Sequence, residues 1–186
     1  MVLAVIAAIT TTLTACAESK PSAATSRAPS ATSSATSYVR PSSMLSPDGF
    51  GAKPPSREQL AELREWMAGP GVGAKRATAD AGRAVDKMTA AEGVRATVNA
   101  CASVTDPLTI RLPAALPTPD PDLTNALTAL VADGKALATA CTALGGDHPT
   151  EADVDAVMNA SSQLGDDFQT AGTIIDRDGD LVAAKR

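Results

Sequence analysis

The sequence predicts an all-α protein, a small four-helix bundle with a long proline-rich crossover and one disulfide, preceded by a disordered linker. Three observations predict it. No stretch alternates apolar and polar residues with the period of two that a half-buried strand needs, whereas residues 56–186 hold four segments with apolar residues at helical spacing. Two cysteines, Cys101 and Cys141, fall inside those segments. Residues 17–55 are dominated by Ser, Ala, Thr and Pro, a composition that cannot bury enough surface to offset the entropy of ordering.

Residues 2–9 form an unbroken apolar run that leads to Leu13-Thr14-Ala15-Cys16 and then switches abruptly to polar residues. This is the shape of an export signal, and it is shorter than the ~20 apolar residues of a spanning helix. Leu13-Thr14-Ala15-Cys16 resembles the lipobox of bacterial lipoproteins. The resemblance implies that residues 1–15 are a signal peptide cut before Cys16, whose thiol carries a diacylglyceryl group as the lipidated, palmitate-type anchor of the chain. Two or more acyl chains, at ~0.8 kcal/mol per buried methylene, hold a domain on a membrane where one would not. The resemblance covers the first 16 residues and implies nothing about the domain behind them. No Lys or Arg precedes the apolar run, a departure from the usual export signal that places the start further upstream.

Residues 16–55 are read as the lipidated cysteine and its linker. As a random coil the 39 residues after Cys16 span roughly 35 Å, enough to lift a domain clear of a bilayer. The linker carries Lys20, Arg27, Arg40 and Lys53 against Glu18 and Asp48, while residues 57–186 carry 12 basic and 19 acidic groups. Such an asymmetry suits a domain held away from anionic lipid, and equally a linker kept soluble by dispersed cations. Ser/Thr clusters beside Pro also resemble the composition of O-glycosylated stalks.

The bundle is expected over residues 56–186. Ser56-Arg57-Glu58-Gln59 reads as a capping box, with Leu60, Leu63, Trp66 and Met67 on the inner face of the first helix and Gly69-Pro70-Gly71 ending it. A second helix is expected over about residues 74–104, with Val85, Met88, Ala91, Val94, Val98 and Cys101 in one stripe and Pro107 stopping it. In the third, Leu123, Leu127, Leu130, Gly134, Leu137, Cys141 and Leu144 alternate steps of four and three, a heptad seam. Asp120 or Asp122 caps its start, and Gly145-Gly146 its end. The fourth opens at Thr150 with Asp153 three residues on, carries Val154, Val157, Ser161, Leu164, Phe168, Ala171 and Ile175, and is expected to fray near Asp176. These seams are rich in small residues, so the core alone should be thin.

In an exported, oxidising setting, Cys101 and Cys141 are expected to form a disulfide. Both lie near the carboxyl ends of the expected helices, whereas a hairpin would separate them by 20 Å or more at ~1.5 Å per residue. Bridged cysteines need Cα atoms within about 7 Å. The expectation is therefore two parallel helices joined by a crossover over residues 105–121, with the fourth helix antiparallel to the third.

Candidates for chemistry are few. An isoelectric point near 4.8 and the lack of a basic run exclude a nucleic-acid surface. His148, the only histidine, sits in a Gly-Gly-Asp-His-Pro loop without a partnered nucleophile. A haem or metal would need it with Met88, Met158, Tyr38 or a thiolate, and the methionines read as core. Residues 176–180, Asp-Arg-Asp-Gly-Asp, resemble the start of a calcium loop, but Leu181 stands where the turn glycine belongs; the segment is read as a solvated acidic tail. No catalytic residue, metal or cofactor is assigned. Leu108, Ile110, Leu112 and Leu116 form an aperiodic apolar segment that covers the core, faces a partner or lids a cavity. The expected function is that of a lipid-anchored, non-enzymatic binding or accessory protein on the extracytoplasmic side of the bacterial cell membrane. Its expected partners are the membrane, through the anchor, and an envelope protein. The alternative is a carrier that holds a lipid or other apolar ligand within the bundle.

Overall fold

The computed structural model describes residues 48–184, which contain five α-helices and no strand. The signal peptide, Cys16 and most of the linker lie outside the described residues. Helix α1 (Arg57–Ala68) starts at the capping box read from the sequence: Ser56 Oγ accepts from the Gln59 backbone N–H at 3.2 Å, and Gln59 Oε1 accepts from the Ser56 N–H at 2.8 Å. Leu60, Leu63 and Trp66 are buried. Helix α2 (Pro70–Thr89) follows directly, with Pro70 in the first turn where no N–H is required. Its inner seam is Ala74, Ala77, Ala81, Ala84 and Met88.

The expected second helix is in fact two. The chain leaves α2 at Ala90 and starts α3 (Val94–Asp106) after Gly93, whose φ of 85° is a left-handed conformation that glycine adopts without a Cβ penalty. This corrects the helix count from four to five. It also takes Val94 off the core, where it is 40% exposed.

The crossover is a second correction. Pro107 removes an N–H and crowds the preceding turn, so the α register cannot continue. The chain nevertheless stays helical, widening into a π turn (Pro107–Arg111), in which the Leu112 N–H reaches the Pro107 carbonyl, and then tightening into a 3₁₀ turn (Leu112–Ala115). Residues 94–115 thus form one rod. The exposed pair of Asp80 with Arg111, at 2.9 Å, joins its π turn to α2, and Asp80 also pairs with Arg83 within α2 at 2.7 Å.

Helix α4 (Pro121–Leu144) runs back along that rod, and every position of its expected seam is buried. A Cβ on Gly134 would come 2.9 Å from Leu108 Cβ, and one on Gly145 3.2 Å from Val98 Cγ1. Numbers rise along one element as they fall along the other, so the two are antiparallel and the expectation of parallel helices was wrong. The disulfide expectation itself holds: Cys101 and Cys141 are bonded, with Cα atoms 6.3 Å apart. The hairpin is compatible with it because the helical rod continues past Pro107, which leaves Cys101 well before the turn. Gly134 lets Leu108 pack against the α4 backbone, so its place in the seam is one of close approach.

Helix α4 is long and apolar enough to cross a membrane by length and composition, but α3 and α5 pack against it and half of its most apolar window is buried. After Gly145, helix α5 (Glu151–Ala183) begins at the Thr150–Asp153 capping box. Bonds from the Thr150 hydroxyl and backbone N–H lower the Asp153 carboxyl below its ordinary pKa. Val157, Leu164, Ala171, Ile174 and Ile175 are buried, while Val154, expected in the seam, is 42% exposed.

Both sulfur-bearing residues are buried at 4% exposure, with Met88 Sδ 3.8 Å from Cys101 Sγ. Replacing both cysteines by serine should lower unfolding stability by about 4 kcal/mol in the chain-entropy model, measured by urea denaturation against the oxidised protein. In the native state the bridge should resist a mild reductant until urea opens the fold.

Candidate functional site

The most chemically loaded place in the described residues joins Asp120 and Asp122, expected only as helix caps, to Asp178, expected in a solvated tail. It lies where the start of α4, the last turns of α5 and the segment before α1 meet. Asp120 is the N-cap of α4, its Oδ1 accepting from the Asp122 N–H at 3.1 Å. Thr118 fixes the approach, donating its hydroxyl to the Asp120 carbonyl at 2.6 Å and its N–H to Thr124 Oγ1 at 2.9 Å. Asp120 and Asp122 are both fully buried.

Arg177 reaches across from α5. Its Nη1 donates to Asp122 Oδ2 at 2.9 Å, its Nη2 to Asp120 Oδ2, and its Nε and Nη2 to Oδ1 of the neighbouring Asp178 at 3.0 and 2.8 Å. One guanidinium therefore serves three carboxyl groups, the planar fork matching several oxygens where an ammonium could not. Burial disfavours its charge, but the hydrogen bonds to Asp122 and Asp178 and the surrounding carboxylates more than compensate and raise its pKa above the ordinary value.

Residues 48–53, assigned to the linker by composition, fold onto this cluster. The Phe50 N–H donates to Asp120 Oδ1 and the Gly51 N–H to Asp122 Oδ2, each at 3.0 Å. The Ala52 and Lys53 N–H groups close a turn on the Gly49 carbonyl. The Phe50 ring joins the core at 6% exposure. Gly49 passes so close to Asp122 that a Cβ there would overlap the carboxyl group. The segment is a strap, bolted by two backbone donors and one aromatic side chain.

Asp178 corrects the reading of residues 176–180 as a solvated tail. They are the penultimate turns of α5, and Asp178 is fully buried. Its Oδ2 has no hydrogen-bond partner among the described residues. Burial, chiefly, pushes its pKa up to about 6; Arg177 opposes this, and the neighbouring Asp120 carboxyl adds to the rise.

The other sequence candidates fall as follows. Cys101 and Cys141 are joined, and Cys16 lies outside the described residues. Leu108 and Leu112 are fully buried and Leu116 packs against the core, so these three cover it; Ile110 is 69% exposed. His148 is exposed in its loop. Met88 is core, whereas Met158, expected there, is 61% exposed. Among the described residues no group of three or more His, Cys, Asp or Glu side chains is placed to hold a metal ion.

Together these features define an all-helical bundle whose amino-terminal strap is held by a buried carboxylate–guanidinium clasp. No family model, curated protein or solved structure matches the chain.

Replacing Arg177 by Leu removes the guanidinium that bonds the carboxyl groups of Asp120, Asp122 and Asp178 and should cost about 3 kcal/mol, read from urea denaturation at neutral pH. The pH dependence follows from Asp178. Folded Asp178 keeps its proton up to about 6, while the unfolded chain releases it near the ordinary 3.8. The native state binds more protons between these values, so this group's stabilisation is present below the ordinary carboxylate value and lost as pH rises through about 6. Its slope is at most roughly 1.4 kcal/mol per pH unit. Asp178→Asn should flatten that part of a stability–pH profile measured by denaturation.

Proposed function

We propose that the chain is a lipid-anchored, exported, non-enzymatic binding or accessory module of the bacterial cell envelope. The observation that carries this reading is the use of the three cysteines. Two of them form a buried disulfide that staples the hairpin of α3 and α4, which suits an oxidising compartment. The third is Cys16, behind an apolar run and within Leu13-Thr14-Ala15-Cys16.

The physical design is consistent. An acyl anchor at Cys16 would hold the chain on the membrane, the Ser/Thr/Pro/Ala segment would act as spacer, and the bundle would face outward. The bundle's polar chemistry is spent inside, on the clasp, and its one histidine sits in an exposed loop. A structural and binding role fits this distribution better than turnover does.

Mass spectrometry of the full chain, recovered from the envelope, tests the proposal. The expected product begins at Cys16, carries acyl chains, and contains the Cys101–Cys141 bridge. Cys16→Ala should lose the acyl mass and release the protein from the membrane fraction. An unmodified Cys16 with free thiols at 101 and 141 would overturn the reading, and a stoichiometric apolar molecule co-purifying under native conditions would replace it with the carrier.

A further inference from the structure

Two stretches of the described chain are almost free of charge. Residues 66–74 carry no ionisable side chain, and residues 107–119 carry only Arg111, which pairs with Asp80 of α2 at 2.9 Å. In a chain with 20% charged residues these are long gaps, and the fold brings them together. Trp66, near the end of α1, donates its Nε1–H to the Ala115 carbonyl at 2.9 Å. Its ring lies so close to Gly71 that a Cβ there would come 2.8 Å from Trp66 Cε3. The corner between α1 and α2 therefore sits against the 3₁₀ turn that ends the rod of residues 94–115.

The outer surface of this end is apolar. Ile110 is 69% exposed and Val72 44%, and Pro70, Pro113, Ala114 and Pro117 are exposed with them. The prolines fix the backbone beneath the patch, so little ordering is needed to present it. Charged residues border the two stretches without entering the patch: Glu65 and Lys75 bound the first, Asp106 and Asp120 the second. Exposed apolar surface with a polar rim is the anatomy of an interaction site.

The place where the chain enters the bundle says what covers this site. The strap is held at Asp120 and Asp122, just beyond Pro117. Everything before Asp48, Cys16 included, therefore joins the bundle at the end that carries the patch.

We propose that this end is a membrane-docking surface, on which Val72, Ile110 and the prolines around them rest against a lipid bilayer. The inference deepens the reading of an anchored module and rests on it for the natural source of the tether. A patch of this size holds a free protein weakly, but a tether makes the encounter intramolecular, at an effective concentration of about millimolar order. The exposed Asp176 and Asp180, on the last turns of α5 beside the clasp, stand near the same end. The surface is thus one that engages lipid through apolar area and not through attraction to anionic headgroups.

Trp66 is the single tryptophan of the chain and lies under the patch, so its fluorescence reads docking directly. Cys101 and Cys141 are joined, which leaves Cys16 as the thiol of the full, unacylated chain that couples to a maleimide-bearing lipid. Coupling to phosphatidylcholine vesicles that contain acyl-brominated lipid supplies the tether whether or not a cell acylates Cys16. The brominated lipid should quench Trp66, and Ile110→Glu combined with Val72→Glu should lower the docked fraction roughly tenfold or more. Both side chains are exposed, so the variant should stay folded, which urea denaturation checks. Met158→Glu, an exposed change towards the opposite end, should leave the quenching as it is. Unquenched Trp66 in the coupled, folded chain would overturn the proposal, as would quenching that the double variant leaves unchanged. A discrete dimer of the unaltered chain that the double variant dissolves would overturn it as well, giving the patch to a second copy. Because this tether is chemical, a negative result counts against the docking surface alone, while the acyl mass on Cys16 decides the natural anchor.

Discussion

Three carboxyl groups gathered around the Arg177 guanidinium constrain the structure more than any single apolar contact. A buried carboxylate is tolerable only when its oxygens are bonded and its charge is met. Asp120 and Asp122 therefore dictate where the strap backbone and α5 must lie, since those elements bring the donors. Ion clusters of this kind add little net stability over an apolar replacement, but they penalise every arrangement in which a partner is missing. A bundle with seams of alanine needs that discrimination. The α2 seam of Ala74, Ala77, Ala81 and Ala84 permits close approach but buries little area and sets no strong register.

The disulfide performs the complementary task at the opposite end of α4. Cys141 and Asp122 are separated by about 28 Å along that helix at 1.5 Å per residue. One end is fixed covalently to α3, and the other is fixed by hydrogen-bonded charge to α5 and the strap. Between them lie Leu123, Leu127, Leu130 and Leu137, all fully buried, the densest apolar stretch of the chain. Apolar packing is non-directional, so the directional bonds at the two ends decide how α3 and α5 are placed along α4.

Much of this was legible in the sequence where a local rule and the seam agreed. The capping boxes at Ser56 and Thr150, the complete α4 seam and the Cys101–Cys141 pair are all present. The failures share a cause, which is that a residue's local preference was weighed without its distant partner. Gly93 falls inside the expected second helix, although its use is a positive φ at the start of a separate α3. Pro107 was taken as a stop, although a helix can pass a proline by widening when Leu108 and Leu112 gain full burial on the far side. Because the helix passes Pro107, residues 105–115 extend α3 and the connection to α4 is a hairpin.

The clasp was hidden for the same reason, although the seam itself contained the clue. The α5 positions Val157, Ser161, Leu164, Phe168, Ala171 and Ile175 alternate steps of four and three, and the next step of three falls on Asp178. An acidic residue in register with a core seam demands a counter-ion, and Arg177 beside it supplies one. Composition pointed the other way, since a run of alternating acidic residues near the end of a chain usually reads as solvated. Phe50 was similarly submerged among serines and prolines, where one aromatic ring cannot nucleate structure alone. It needs a surface already built, and that surface comes from residues about seventy positions later, Asp120 and Asp122, whose oxygens bond the backbone on either side of the ring's attachment. The place of the strap is therefore set by long-range bonds to α4, which no local pattern around Phe50 encodes.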